Sequence, residues 1–175
     1  MNIQDVFTFT EAVEIWGLNH TMDIEDAIRY KKLDHYETKR SGEVGLITRK
    51  GMEKLFGKEP YFRRMQCVKR KGEDTNGFGI AYEILHKPHG NPSYNIMFAD
   101  MDEDFGVWET PEYELESLTP KEVEAHLAYI RENQKEFAPF VMQLNDLGEV
   151  FPHHILEDEE MKRIRQRIEK ERQHA

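Results

Sequence analysis

At 175 residues the chain has room for one domain or two small ones, and 38% hydrophobic with 33% charged residues is the balance of a soluble globular protein, not a disordered one. A formal net charge of −10 excludes overall electrostatic attraction to nucleic acid, because phosphate contacts need lysine and arginine; the deficit is smallest in residues 1–57, with 8 basic and 10 acidic side chains. No apolar run reaches the roughly eighteen residues of a membrane span, Met1-Asn2-Ile3-Gln4-Asp5 lacks the features of a secretory signal, and the single cysteine, Cys67, forbids an internal disulfide, so a cytoplasmic location with no membrane association is expected.

Taken in chain order, Thr10 is read as the N-cap of a first helix that ends at Trp16, with Ala12, Val13, Ile15 and Trp16 as its apolar content. Gly17-Leu18-Asn19 supplies a turn in which Gly17 takes a positive φ. A second helix spans about Met22 to Lys31, with Ile24, Ala27 and Ile28 at the spacing of a buried face and Met22, Glu25, Asp26 and Arg29 on the opposite side. Tyr36 to Lys39 and Glu43 to Ile47 flank Arg40-Ser41-Gly42 and predict a hairpin. Thr48 caps a third helix that stops at Gly57. The expected core is Trp16, Leu18, Ile24, Ile28, Leu46, Ile47, Met52 and Leu55. Helix, turn, helix and hairpin in this order read as a winged helix-turn-helix over about 1–57, an architecture that places one short helix in a DNA groove.

Beyond the linker Lys58-Glu59-Pro60 the texture changes. Tyr61 to Arg70, Phe78 to His86 and Tyr94 to Ala99 read as strands separated by turn clusters, with a short fourth strand around Val107-Trp108-Glu109. An antiparallel meander over about 61–110 follows. Thr119-Pro120-Lys121-Glu122 combines an N-cap threonine, proline at the first helical position and glutamate at the third, and predicts a helix to about Glu136 that buries Val123, Leu127 and Ile130. Phe137 to Leu147 extends the helical region, giving helices over about 120–147, and a last helix is expected over about 157–173. The class is α+β: an N-terminal winged helix-turn-helix, then an antiparallel-sheet domain with C-terminal helices over 61–175.

Glu11-Ala12, Trp16-Gly17-Leu18, Ala27-Ile28-Arg29, Ser41-Gly42, Leu46-Ile47-Thr48-Arg49, Met52-Glu53 and Phe56-Gly57 together resemble the small bacterial and phage helix-turn-helix domains of the excisionase and MerR type. The resemblance covers the N-terminal third, and Gly45 stands where an aromatic residue is common in the wing. It implies a non-enzymatic DNA-binding transcriptional regulator of a phage or other mobile element, with double-stranded DNA as partner. Base edges would then face Met22, Glu25, Asp26 and Arg29, and phosphates would face Lys31, Lys32, Lys39, Arg40, Arg49 and Lys50. The second domain would dimerise or sense a partner, a homodimer supplying the affinity that one weakly charged module lacks.

Other constellations carry less. Asp100 to Gly106 imitates a calcium loop but has Phe105 at the sixth position and Pro111 at the twelfth. His86, His89, His153 and His154 lack a cysteine partner for structural zinc, and no nucleophile elbow or phosphate-binding glycine loop occurs, so neither cofactor nor catalysis is expected. Cys67 reads as a small buried hydrophobe. The acidic run from Asp100 to Glu116 supports an alternative function. Asp100, Asp102, Glu103, Asp104 and Glu109, with Trp108 as an aromatic anchor, would imitate phosphates and block a nucleic-acid-binding protein, as anti-defence proteins do.

Overall fold

The structure is a computed structural model and describes residues 5–31, 33–74, 77–100 and 108–146. The helix expected over about 157–173 and the candidates Lys32, Asp102, Glu103 and Asp104 lie outside the described residues. The described residues of Met1–Arg63 and of Ile84–Ser93 form one compact unit, and those of Arg64–Glu83 and Tyr94–Ala175 another.

The first unit opens with a strand that the sequence reading lacked, β1 (Val6–Thr8), and runs directly into helix α1 (Phe9–Trp16). Thr8, not Thr10, is the N-cap. Its hydroxyl accepts the Glu11 N–H at 3.1 Å and its own N–H donates to the Glu11 carboxylate at 2.7 Å, a reciprocal pair that starts the helix earlier than Thr10 allows. Gly17 closes α1 at φ 63, as expected. Helix α2 (Thr21–Tyr30) is capped by His20, whose Nδ1 accepts the Met22 N–H, while Asp23 accepts the N–H groups of Asn19 and His20.

Strands β2 (Thr38–Ser41) and β3 (Val44–Thr48) form the wing, and the three strands lie antiparallel in the order β1-β3-β2. Ser41 pairs with Val44, so the turn is the two residues Gly42-Glu43, with Gly42 at φ 62. A two-residue turn wants a positive φ at its first position, and Gly42 supplies it. Arg40 therefore lies within β2, opposite Gly45, instead of in the turn. Thr48 caps α3 (Arg49–Phe56) through the Gly51 N–H, and Gly57 ends it, both as predicted.

Phe7, Phe9, Ala12, Ile15, Trp16, Ile24, Ile47, Met52 and Leu55 make the core of this unit, with Leu18 and Ile28 partly buried against it. Leu46 is only half-buried, because it alternates with the inward-facing Gly45 and Ile47. A Cβ on Gly45 would stand 2.6 Å from the Phe9 ring, so the space an aromatic wing residue would fill is already taken by Phe9. The segment 84–93 buttresses the helices. The His86 Nε2–H donates to the Trp16 carbonyl at 2.6 Å, and the Trp16 Nε1–H donates to the Gly57 carbonyl at 3.1 Å.

In the second unit β4 (Cys67–Arg70), β5 (Phe78–Leu85), β6 (Ser93–Phe98) and β7 (Trp108–Pro111) are successive neighbours, the meander expected; the outer ends of β5 and β6 belong to the first unit. A short 3-10 turn, Glu112–Glu114, leads to β8 (Leu115–Ser117), which returns to pair antiparallel with β4 at the far edge. The strand expected over Tyr61 to Arg70 is only its last four residues; Met65 holds a left-handed φ of 65, which breaks the extended run before Cys67. Helix α4 (Pro120–Glu132) carries the predicted box, Thr119 accepting from the Glu122 N–H at 3.3 Å and Glu122 from the Thr119 N–H at 2.7 Å. It stops short of Glu136, because the Asn133 side chain competes for the Tyr129 carbonyl at 2.8 Å. Helix α5 (Ala138–Asp146) follows. Cys67, Phe78, Ile80, Met97 and Ala99 from the sheet pack on Val123, Ile130, Phe137 and Phe140. Cys67 is buried there, and burial pushes its thiol well above the ordinary value. The class is α+β.

Two measurements test the first unit. Gly57 has φ 89 and ψ −174, a region open essentially to glycine, and a Cβ there would stand 2.1 Å from the Lys87 carbonyl oxygen. Gly57→Ala should lower unfolding free energy by roughly 2 kcal/mol or more in urea titration, whereas Gly42→Ala, with nothing within 4 Å of its Cβ, should cost about 1 kcal/mol. Equal losses would mean that the Lys87 approach does not constrain the site. Burial also holds the His86 imidazole below its ordinary value of 6.5, against the opposing pull of the Trp16 carbonyl. An unfolded chain therefore takes up a proton that the folded ring resists, and this contribution to stability, complete above pH 6.5, is lost as pH falls toward the folded value. His86→Gln keeps an N–H donor without titrating, so the urea midpoint should fall less steeply on acidification than in the parent.

Candidate nucleic-acid interface

Helix α2 presents Met22, Arg29 and Tyr30 to solvent. Its ten residues span about 15 Å, enough to lie in a major groove. Ile24 is fully buried and anchors the helix, while Met22 is 55% exposed and Tyr30 is 88% exposed. Tyr30 was not among the expected base-facing residues. Its signal was present, one step beyond Arg29 and four beyond Asp26 on the same helix. Tyr36, expected in a strand, lies instead in the loop before β2 and is also exposed.

The charged candidates divide by what they touch. Arg40 reaches from the wing to Glu25, Nη2 to Oε1 at 2.5 Å, and Arg29 pairs with Asp26 at 3.2 Å along the helix. Both pairs are solvent-exposed, with Glu25 the most enclosed member. Lys31 turns toward α3, its Nζ donating to the Leu55 carbonyl at 2.9 Å, where a cation complements the negative end of the helix. Lys39 and Arg40 are consecutive in β2 and so leave the wing on opposite faces. The Lys39 and Lys50 side chains are exposed and make no hydrogen bond or ion pair among the described residues.

Arg49 sits elsewhere than on the phosphate-facing side expected for it. Its side chain is 13% exposed, its Nε lies 2.8 Å from the buried Glu59 carboxylate, its Nη1 lies 3.0 Å from Asp5, and its guanidinium stands over the Phe7 ring. Lys54 is employed similarly, at 2.6 Å from the buried Glu37 and 3.2 Å from Asp34. Burial alone would raise the Glu37 carboxyl, but hydrogen bonds from Lys54 and the Asp34 N–H outweigh it and hold it below the ordinary range. These pairs fix the loop between α2 and the wing.

The acidic candidates of the second unit are partly described. Asp100 binds Arg70 through both oxygens, at 2.9 and 3.4 Å, and Arg70 also pairs with Glu73 and stacks 3.7 Å over the Phe98 ring. Trp108 and Glu109 are exposed on β7. Among the described residues no three His, Cys, Asp or Glu side chains converge on a metal position, and no helix is long and apolar enough to cross a membrane.

Residues 1–61 match a family model described as a helix-turn-helix domain, the kind of domain the sequence resemblance indicated. No curated protein and no solved structure matches the chain. The N-terminal third is a helix-turn-helix domain, and DNA binding is the activity such a domain suggests.

The two kinds of arginine should separate in a stability measurement. Arg49→Met leaves Glu59 buried without that partner and should cost about 3 kcal/mol in urea unfolding, whereas Arg29→Ala, losing one exposed pair, should cost less than about 0.5 kcal/mol. Comparable losses would place Arg49 on the surface with Arg29.

Proposed function

We propose that the protein is a non-enzymatic DNA-binding transcriptional regulator of a phage or other mobile element. Helix α2 enters the major groove, and the β2–β3 wing lies along the backbone. The observation that carries this reading is the exposed side of α2, where Met22, Glu25, Asp26, Arg29 and Tyr30 lie outside the core of a helix-turn-helix domain.

The acidic residues on α2 do not oppose it decisively. Exposed ion pairs are worth about 0–1 kcal/mol, so an arginine that leaves a carboxylate for a phosphate or a guanine loses little. Arg29 makes that exchange, and Lys39 and Lys50 add two exposed cations that no ion pair holds among the described residues. Three phosphate contacts per copy give modest affinity, so two copies acting on paired half-sites are part of this reading, with the second unit as the assembly module. The second reading, an acidic inhibitor of a nucleic-acid-binding protein, has the exposed Trp108 and Glu109 in its favour, but Asp100 is already neutralised by Arg70.

Fluorescence anisotropy with the full chain and duplexes from upstream of its own gene, across 50–200 mM salt, tests the function. Sequence-selective binding is expected, with log affinity falling against log salt at a slope of about −3 per copy bound. Lys39→Ala should reduce the slope by about one and weaken all sequences alike. Absence of selective binding at the lowest salt would refute the reading.

A further inference from the structure

The Arg40–Glu25 contact is more than charge neutralisation, because of what it leaves open. It joins the wing to α2 through Arg40 Nη2 and Glu25 Oε1 only. Glu25 Oε2 and the Nη1 and Nε groups of Arg40 have no hydrogen-bond partner among the described residues. The free Glu25 Oε2, and a guanidinium fork made by the second Nη2 N–H with its Nη1 or Nε neighbour, thus lie side by side beside α2, joined by a contact of 2.5 Å.

We infer that the Arg40–Glu25 pair reads a C·G base pair as one unit. This rests on the reading of α2 as the groove helix. In the major groove cytosine N4 offers a donor beside the acceptors O6 and N7 of its guanine, and N4 and O6 are themselves hydrogen-bonded, roughly 2.9 Å apart. The Glu25 carboxylate meets the N4 donor while the Arg40 guanidinium meets O6 and N7, so an acceptor–donor pair from the protein lies on a donor–acceptor pair of similar spacing from the DNA. An A·T pair fits worse, because its acceptors N7 and O4 lie on either side of the N6 donor and give the guanidinium no adjacent pair to fork across. Neither charge needs a new partner to compensate it, since each already neutralises the other. The wing residue is therefore carried into the groove by the helix residue and does not act as a backbone contact.

Selection of binding sites from a randomised duplex pool tests this, using the full chain, Glu25→Gln and Arg40→Ala. Arg40 is exposed and Glu25 half-buried with one free oxygen, and the thermal melts of both variants should overlay that of the parent. The parent should enrich one invariant C·G position per half-site. Each variant should lose preference at that same position by about tenfold, while preferences elsewhere in the site persist. Arg40→Ala should also leave the salt slope unchanged, whereas Lys39→Ala lowers it by about one. Retention of the C·G preference in both variants, or a uniform loss of affinity with a reduced salt slope in Arg40→Ala, would overturn the inference while leaving DNA binding intact. A parent chain that selects no site would instead overturn the functional reading on which it rests.

Discussion

Trp16 is the residue through which the first unit is tied together. Its indole is fully buried, and a buried indole N–H must find an acceptor, which here is the Gly57 carbonyl. That bond sets where α3 ends relative to where α1 ends. The Trp16 backbone carbonyl in turn receives His86, and the carbonyl just before it, on Ile15, receives a donor from Arg63 Nη1 at 3.3 Å. Since Thr48, the last residue of β3, is the N-cap of α3, positioning α3 also positions the wing. Helix α2 is registered against the same element, because Lys31 holds the Leu55 carbonyl two residues before Gly57. The orientation of the exposed helix and of the hairpin beside it thus follows from one buried tryptophan.

Net charge is a poor guide to what a ligand of this unit meets. Residues 1–57 carry more acids than bases, yet several of the acids are paired with lysine or arginine side chains of the same unit. Glu37 is buried against Lys54, Asp34 shares that lysine, and Asp5 pairs with Arg49. Of these, Lys54–Glu37 differs in kind from Arg29–Asp26 and Arg40–Glu25, because Glu37 is buried. A buried carboxylate that loses its partner costs several kcal/mol and so does not exchange, while an exposed pair such as Arg29–Asp26 exchanges at a cost near thermal energy. The exposed charge of this unit is therefore carried largely by the Arg29–Asp26 and Arg40–Glu25 pairs and by Lys39 and Lys50, which is less acidic than the count of side chains implies.

How much of this was legible in the sequence depended on the reach of the interaction concerned. The Thr119–Glu122 box, the Thr48 cap and the Gly17 and Gly57 helix ends were readable because each is closed by hydrogen bonds within a few residues. The apolar spacing of α2 likewise located Ile24 and the outward side of Met22, Glu25, Asp26 and Arg29. Two local errors came from competing local solutions: Thr8 has the partner at the third helical position that Thr10 lacks, and Gly42 closes a shorter turn than Arg40-Ser41-Gly42 would. β8 went unread because three residues leave no periodicity, and its partner β4 is far away in the chain.

The long-range contacts that sequence reasoning missed share a different cause. Arg49 meets Glu59 across ten positions, Lys31 meets Leu55 across 24, and His86 meets Trp16 across 70. A helical wheel shows which way a lysine or arginine leaves its helix, but not whether a remote carbonyl or carboxylate is waiting there. Arg40 is the instructive case, because its sequence neighbours Lys39 and Ser41 give no hint of Glu25, and only the folded wing brings the two together. The same folding step that removes Arg40 from the pool of free cations gives it a fixed geometry and a paired acceptor. A pair of that kind contributes less to non-specific attraction than an isolated arginine, and more to discrimination between base pairs, because neutral, directional hydrogen bonding distinguishes base edges where net charge does not.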